Sequence, residues 1–284
     1  MTMPKLIYHY CDVKTFMNII KSKKLWLSNS NKMNDFRENT WINQFIDEKI
    51  NNIKSEYKNF KNNFIRSYKI NIHIPYIACF SENGDLLSQW RAYASDGKGI
   101  AIGFDSKKMK LEEKVPTVGD NTNINLGLYK TTYEKEKQRK IVNSMIDFFI
   151  DGVDNEVWDE NGASSLCAAQ LKKYSCVLKN PAFSEEQEWR IIHTPFIAEN
   201  PFFEWDEDSK VESLGQVSDI HFRSRGSEII SYFKLSLDDH FSNGLISKVI
   251  LGPKCKLDKY DFGMYLKMNN LDNVDVITSN ASYR

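Results

Sequence analysis

Several properties are scarce in this chain, and each scarcity excludes something. There is no net charge: lysine plus arginine total 38 and aspartate plus glutamate total 38. No global field therefore draws in nucleic acid or an anionic membrane. The five cysteines (Cys11, Cys79, Cys167, Cys176, Cys255) are odd in number and scattered, and none forms a Cys-x-x-Cys pair. That argues against a disulfide framework and against a zinc ribbon, and reduced thiols are the simplest account. No stretch approaches the roughly 18 apolar residues of a membrane span. The N-terminus has no basic segment leading into an apolar one, so a signal peptide is not expected. Together these absences predict a soluble, cytoplasmic protein without a membrane partner.

Familiar catalytic signatures are missing as well. His9, His73, His193, His221 and His240 never stand at His-x-x-x-His or His-Glu-x-x-His spacing, and no metal is expected. The run from Gly97 to Gly103 lacks the Gly-Lys-Ser/Thr ending of a phosphate loop. A turn followed by a strand in close contact with another backbone accounts for it. No Gly-x-Ser-x-Gly elbow occurs.

What is present is the composition of a globular protein, 41% hydrophobic and 27% charged. The Asn- and Lys-rich stretch 29–69 reads as a solvated helical face more readily than as a nucleic-acid patch. Residues 6–10 predict a strand, Asp12 a helix cap, and Val13, Phe16, Met17, Ile19 and Ile20 an amphipathic helix. Further strands are expected at 25–27, 74–80, 99–104, 128–133, 189–194, 245–251 and 274–278. Helices are expected over 41–68, 86–93, 141–150, 166–178 and 260–269, and residues 195–226 read as loop. Short strands alternating irregularly with helices indicate an α+β fold, with mixed, short-stranded sheets flanked by helices. One domain over 1–284 is expected, with a helical insertion at about 41–70.

Three clusters carry chemistry. In Tyr8-His9-Tyr10 a titratable ring is held by aromatic neighbours at the first strand, where it serves either a ligand or the structure. Cys79-Phe80-Ser81 with Ser88, Gln89, Trp90 and Tyr93 offers a polar and aromatic wall for a ribose or a planar ring; a core tryptophan with a satisfied N–H explains it equally. In Glu185-Glu186-Gln187-Glu188-Trp189-Arg190, strand alternation puts Glu188 and Arg190 on one face and Trp189 on the other. That pair suits a sugar hydroxyl or a developing positive charge, or else it is a surface ion pair worth under about 1 kcal/mol.

At these residues the chain resembles DUF2971, a family of uncharacterised bacterial proteins. The likeness runs through Tyr8-His9-Tyr10, Leu25-Trp26-Leu27-Ser28, Met33-Asn34-Asp35 with Glu38, Cys79-Phe80-Ser81 and Leu87-Ser88-Gln89-Trp90 with Tyr93. It continues through residues 98–104, Glu185 to Arg190, Ile250-Leu251-Gly252-Pro253 and Ser282-Tyr283-Arg284. The chain is also similar, more distantly, to ADP-ribosyltransferases. That resemblance implies an ADP-ribosyltransferase-like fold with NAD as substrate. It implies His9 on a ribose, Ser28 or Ser81 as the mid-chain serine, and Glu188, with Arg190 nearby, supporting glycosidic cleavage. Tyr10, Trp90 or Tyr93 would stack on nicotinamide or adenine, beside Ser88 and Gln89. It further implies a nucleotide or dinucleotide ligand, an acceptor that is protein, nucleic acid or water, and a role as a bacterial toxin or phage-defence effector. Two other readings stand beside it: a non-catalytic nucleotide-sensing or protein-binding module, and a metal-dependent nuclease using Asp35, Glu38 and Glu188 with a divalent ion.

Overall fold

The structure is a computed structural model and describes residues 3–33, 40–70, 74–117, 122–195, 216–241 and 243–283. In chain order the elements are β1 (Leu6–Cys11), α1 (Val13–Ser22), β2 (Lys24–Asn29), α2 (Asn43–Asn51), α3 (Lys58–Ile70), β3 (Tyr76–Ser81), α4 (Leu87–Tyr93), β4 (Ile100–Asp105), α5 (Thr122–Asn125) and β5 (Leu126–Lys130). There follow α6 (Lys135–Asp154), α7 (Glu160–Tyr174), β6 (Glu188–His193), β7 (His221–Arg225), β8 (Glu228–Ser236), α8 (Asp238–Phe241), β9 (Ile246–Leu251), α9 (Lys259–Met268) and β10 (Asp275–Thr278).

The architecture is mixed α+β. Ten strands form one sheet in the order β10-β9-β4-β1-β3-β2-β8-β7, while β6 pairs with β3 and β5 pairs with β6. Only β9–β10 is parallel among these pairs. One face packs against α1 and α9, through Phe16, Ile19, Ile20, Phe262 and Leu266 over Ile7, Leu27, Ala78, Phe80, Ile102 and Ile191. The helices α2, α3, α6 and α7 form a second core with Ile77 and Ile192 of the other face. The segment expected as a helical insertion thus supplies α2 and α3 to a layer shared with later helices.

Local chemistry explains the element ends. The Asp12 carboxylate accepts from the Thr15 N–H at 2.6 Å and caps α1. Asp159 caps α7 through Gly162 N–H, and Asp258 caps α9. Gly97 has a φ of +82°, and a Cβ on Gly99 would stand 2.2 Å from the Cys11 carbonyl oxygen. The glycine-rich run is a turn entering a strand, pressed against β1.

Three expectations need correcting. The helix expected over 166–178 runs from Glu160 to Tyr174, and the residues after it form the turn that delivers Lys179. The strand expected at 128–133 starts and ends earlier, at Leu126–Lys130. The loop expected over 195–226 contains β7, which pairs with β8 about the positive-φ Gly226; residues 196–215 lie outside the described residues. β7 alternates weakly because it is a largely exposed edge strand.

Candidate functional site

The site exists because the sheet splits. β6 pairs with β3 along the whole of Tyr76–Ser81. On the other edge, β3 meets β1 only at Ser81↔Tyr8 and β2 only at Ile77↔Ser28 and Tyr76↔Asn29. Ala78, Cys79 and Phe80 therefore face a gap between β1 and β2, and all three line a cavity of about 160 Å³. The His9 ring bridges that gap. Its Nδ1 lies 2.9 Å from the Cys79 carbonyl oxygen; a carbonyl only accepts, so Nδ1 carries the proton. The ring thus ties β1 to β3 at a point where those two strands are not paired. Burial lowers the His9 pKa, with the Cys79 bond opposing. The imidazole is held neutral, and its Nε2 is an acceptor.

Across the cavity stands the segment Glu186-Gln187-Glu188. A 3-10 turn over Pro181–Glu186 ends at Gln187, whose φ of 43° is left-handed. This kink leaves Gln187 exposed and buries the side chains on either side of it. Lys179 Nζ lies 2.6 Å from Glu186 Oε2 and 3.3 Å from Glu188 Oε2, and Arg190 Nη2 donates to Glu188 Oε2 at 2.7 Å. Arg190 also donates to the Cys176 carbonyl. All four side chains are buried, so the pair is a desolvated network and not the surface pair weighed from sequence.

Their environments drive the two carboxyls apart. For Glu188, burial raises the pKa, but Arg190 and Lys179 outweigh it and hold the group down at about 2. The Cys79 thiol adds a weak hydrogen bond to the same carboxylate. For Glu186, burial dominates over Lys179 and leaves the pKa raised. Neighbouring carboxyls separated in this way are the physical pattern of divided acid–base roles.

The remaining walls come from α4 and β2. Gln89 and Tyr93 line the cavity, and Tyr93, 37% exposed, is the aromatic plane presented from α4. The Tyr93 hydroxyl is 3.5 Å from Glu186 Oε1. Trp26, 40% exposed, Ser28 and Met33 close the opposite side. A second cavity of about 220 Å³ adjoins the first and shares His9, Trp26 and Ser28 with it.

Of the residues expected from sequence, His9, Tyr10, Ser28, Gln89, Tyr93, Glu188 and Arg190 line one cavity. Three do not. The Ser81 hydroxyl donates to the Glu186 carbonyl and accepts from Asn83 N–H, which makes it a brace for the acid turn. Ser88 Oγ is buried off the cavity. Trp90 is fully buried, its indole N–H donating to Asp85 at 2.7 Å while Tyr10 packs on its edge. Tyr10 itself bonds Asn83 and Leu86 through its hydroxyl, so it supports the loop before α4 and offers no free stacking face. Of the three glutamates between residues 185 and 188, Glu185 is exposed and off the cavity.

The sequence does not single out Lys179, because a lysine between a turn and Asn180-Pro181 has no periodic signature, and it leaves open which of Glu185, Glu186 and Glu188 faces the cavity. Asn34, Asp35 and Glu38 lie outside the described residues. Among the described residues no group of three or more His, Cys, Asp or Glu could hold a metal ion, and no helix is long and apolar enough to cross a membrane.

Residues 89–191 match the model of a family described as a protein of unknown function, DUF2971. The matched segment begins at Gln89 on α4 and ends on β6. It contains Tyr93, Lys179, Glu186, Glu188 and Arg190, the acidic half of the cavity. No curated protein and no solved structure matches the chain.

Proposed function

We propose that this chain, through a cavity whose acidic half lies in its DUF2971 segment, cleaves NAD at the bond between nicotinamide and ribose, as an NAD glycohydrolase or an ADP-ribosyltransferase. The observation that carries this reading is the meeting of a neutral His9 and two differently tuned carboxyls, Glu186 and Glu188, on one cavity.

Breaking this bond builds oxocarbenium character on the ribose, as in glycoside hydrolysis. Nicotinamide leaves with the bonding electron pair as a neutral molecule, so departure needs no general acid. The task is to stabilise positive charge at the sugar. A Glu188 carboxylate fixed by Arg190 and Lys179 needs no reorganisation to do so. Its grip on the ribose 2′-hydroxyl, replacing the weak Cys79 bond, strengthens as the charge grows. Water or an acceptor hydroxyl then attacks the sugar carbon. Glu186, with its raised pKa, accepts the proton released in that step. His9 Nε2 accepts from a ribose hydroxyl, and Tyr93 supplies the stacking plane. Arg190 positions Glu188 and does not touch the reacting atoms.

A second reading has its own observation. Arg190 and Lys179 both lie on Glu188, and their charge offsets the field the carboxylate projects on a ligand. A site neutralised in this way binds a nucleotide without turning it over.

Steady-state nicotinamide release from NAD separates the two. Cleavage predicts release by the wild type, and a loss of about a hundredfold or more in Glu186→Gln and His9→Ala. A folded wild type that releases none rejects the cleavage reading.

A further inference from the structure

The second cavity contrasts with the first in charge. It is lined by His9, Thr15, Asn18, Ser22, Lys24, Trp26, Ser28 and Arg223 among others, and none of its lining residues is acidic. Arg223 comes from β7 and lies over an aromatic cushion. Its guanidinium is 5.3 Å from the Trp26 ring centre and 5.9 Å from that of Tyr232, and the two rings are 4.5 Å apart. Nη2 donates to Ser28 Oγ at 3.2 Å. Among the described residues the buried Nε has no partner and Arg223 makes no ion pair. Burial and the neighbouring Arg225 lower its pKa, with Tyr232 opposing. By contrast, Arg225 is paired with Glu228 at 3.3 Å.

A cation partly removed from water, with an orphaned donor and no counter-charge among the described residues, carries a cost that a bound anion would remove. The cushion fixes the plane of the guanidinium, and the planar fork matches phosphate oxygens bidentately. Lys24 adds a point charge to the same cavity.

We infer that the Arg223–Lys24 cavity is a diphosphate subsite, and that the ridge formed by His9, Trp26 and Ser28 is spanned by one ligand. Its uncharged or cationic sugar-linked head would occupy the acid-walled cavity, and its diphosphate would lie on Arg223. Size supports the division, because a cavity of about 160 Å³ has room for a ring and part of a sugar but not for a dinucleotide. This inference rests on the proposed function for the identity of the head group, not for the diphosphate.

Calorimetric titration with ADP and with adenosine tests it. ADP binds the wild type at least about tenfold more tightly than adenosine, as charge-assisted bonds require, and added salt weakens ADP alone. Arg223→Gln weakens ADP by about tenfold or more and leaves adenosine unchanged. Arg223→Lys falls between them, and Lys24→Gln, a milder change on a separate strand, shifts ADP in the same direction. Unaltered melting temperatures establish that each variant is folded. ADP and adenosine binding equally, no binding of ADP, or ADP affinity unchanged in both Arg223→Gln and Lys24→Gln overturns the subsite. The two proposals fail separately. Arg223-dependent ADP binding without nicotinamide release keeps the subsite and rejects cleavage. Nicotinamide release with the same KM for NAD in Arg223→Gln keeps cleavage and rejects the subsite.

Discussion

Replacing Glu188 by glutamine removes one buried negative charge and leaves its cationic partners in place. Lys179 keeps Glu186 at 2.6 Å. Arg190, 1% exposed, loses the carboxylate it holds at 2.7 Å and keeps the Cys176 carbonyl. An uncompensated buried guanidinium costs about 3–5 kcal/mol. At about 2–4 °C per kcal/mol for a chain of this size, melting falls on the order of 10 °C. Urea unfolding of wild type, Glu188→Gln, Arg190→Met and the double variant forms a cycle. The double variant should recover at least about 2 kcal/mol of the summed single losses, because neither partner is then stranded. Its remaining deficit is about 1 kcal/mol from the Cys176 carbonyl left without that donor. A Glu188→Gln loss below about 1 kcal/mol, or strictly additive losses, would mean that Glu188 and Arg190 are not a desolvated pair, since only a solvated pair behaves so. A thermal melt of Glu188→Gln fixes the temperature at which it is folded, so that its activity can be read as chemistry.

Two further outcomes follow from the geometry. Burial depresses the His193 pKa to about 4, well below the ordinary imidazole value of 6.5. As pH falls from 6.5 towards 4 the unfolded chain takes up a proton that the folded chain refuses, so stability declines by about 3 kcal/mol. His193→Leu should flatten that part of a urea-midpoint profile, and an unchanged slope would clear His193 of the role. Gln187 holds a left-handed φ of 43°, where a β-branched residue is strained. Gln187→Val should cost about 1–3 kcal/mol and Gln187→Gly little or nothing, as measured by chemical denaturation. Equal costs for the two would place the strain elsewhere.

Much of the frame was legible because period and caps act locally. Ile141, Val142, Met145, Ile146 and Phe149 lie at helical spacing and fall within α6, and Asp12 caps α1 by its own carboxylate. Alternation alone placed Glu188 and Arg190 on one face, and both line the cavity. The site itself was less legible, because the split between β1 and β2 is a matter of pairing, which no single strand announces. Ser81 and Trp90 have the residue types of a binding wall, yet tertiary partners turned them to bracing the Glu186 backbone and Asp85. Lys179 and Arg223 act through what surrounds them: one is a buried lysine beside two acids, the other an arginine laid on two aromatic rings. Neither setting has a local sequence pattern.

The most direct test is a single turnover. Protein in excess over NAD is quenched at intervals, and free nicotinamide is counted against NAD bound. Cleavage at this site gives about one nicotinamide per NAD bound for the wild type, and full binding with slowed release for Glu188→Gln at a temperature where it is folded. Wild-type protein that holds NAD and returns it intact would contradict it.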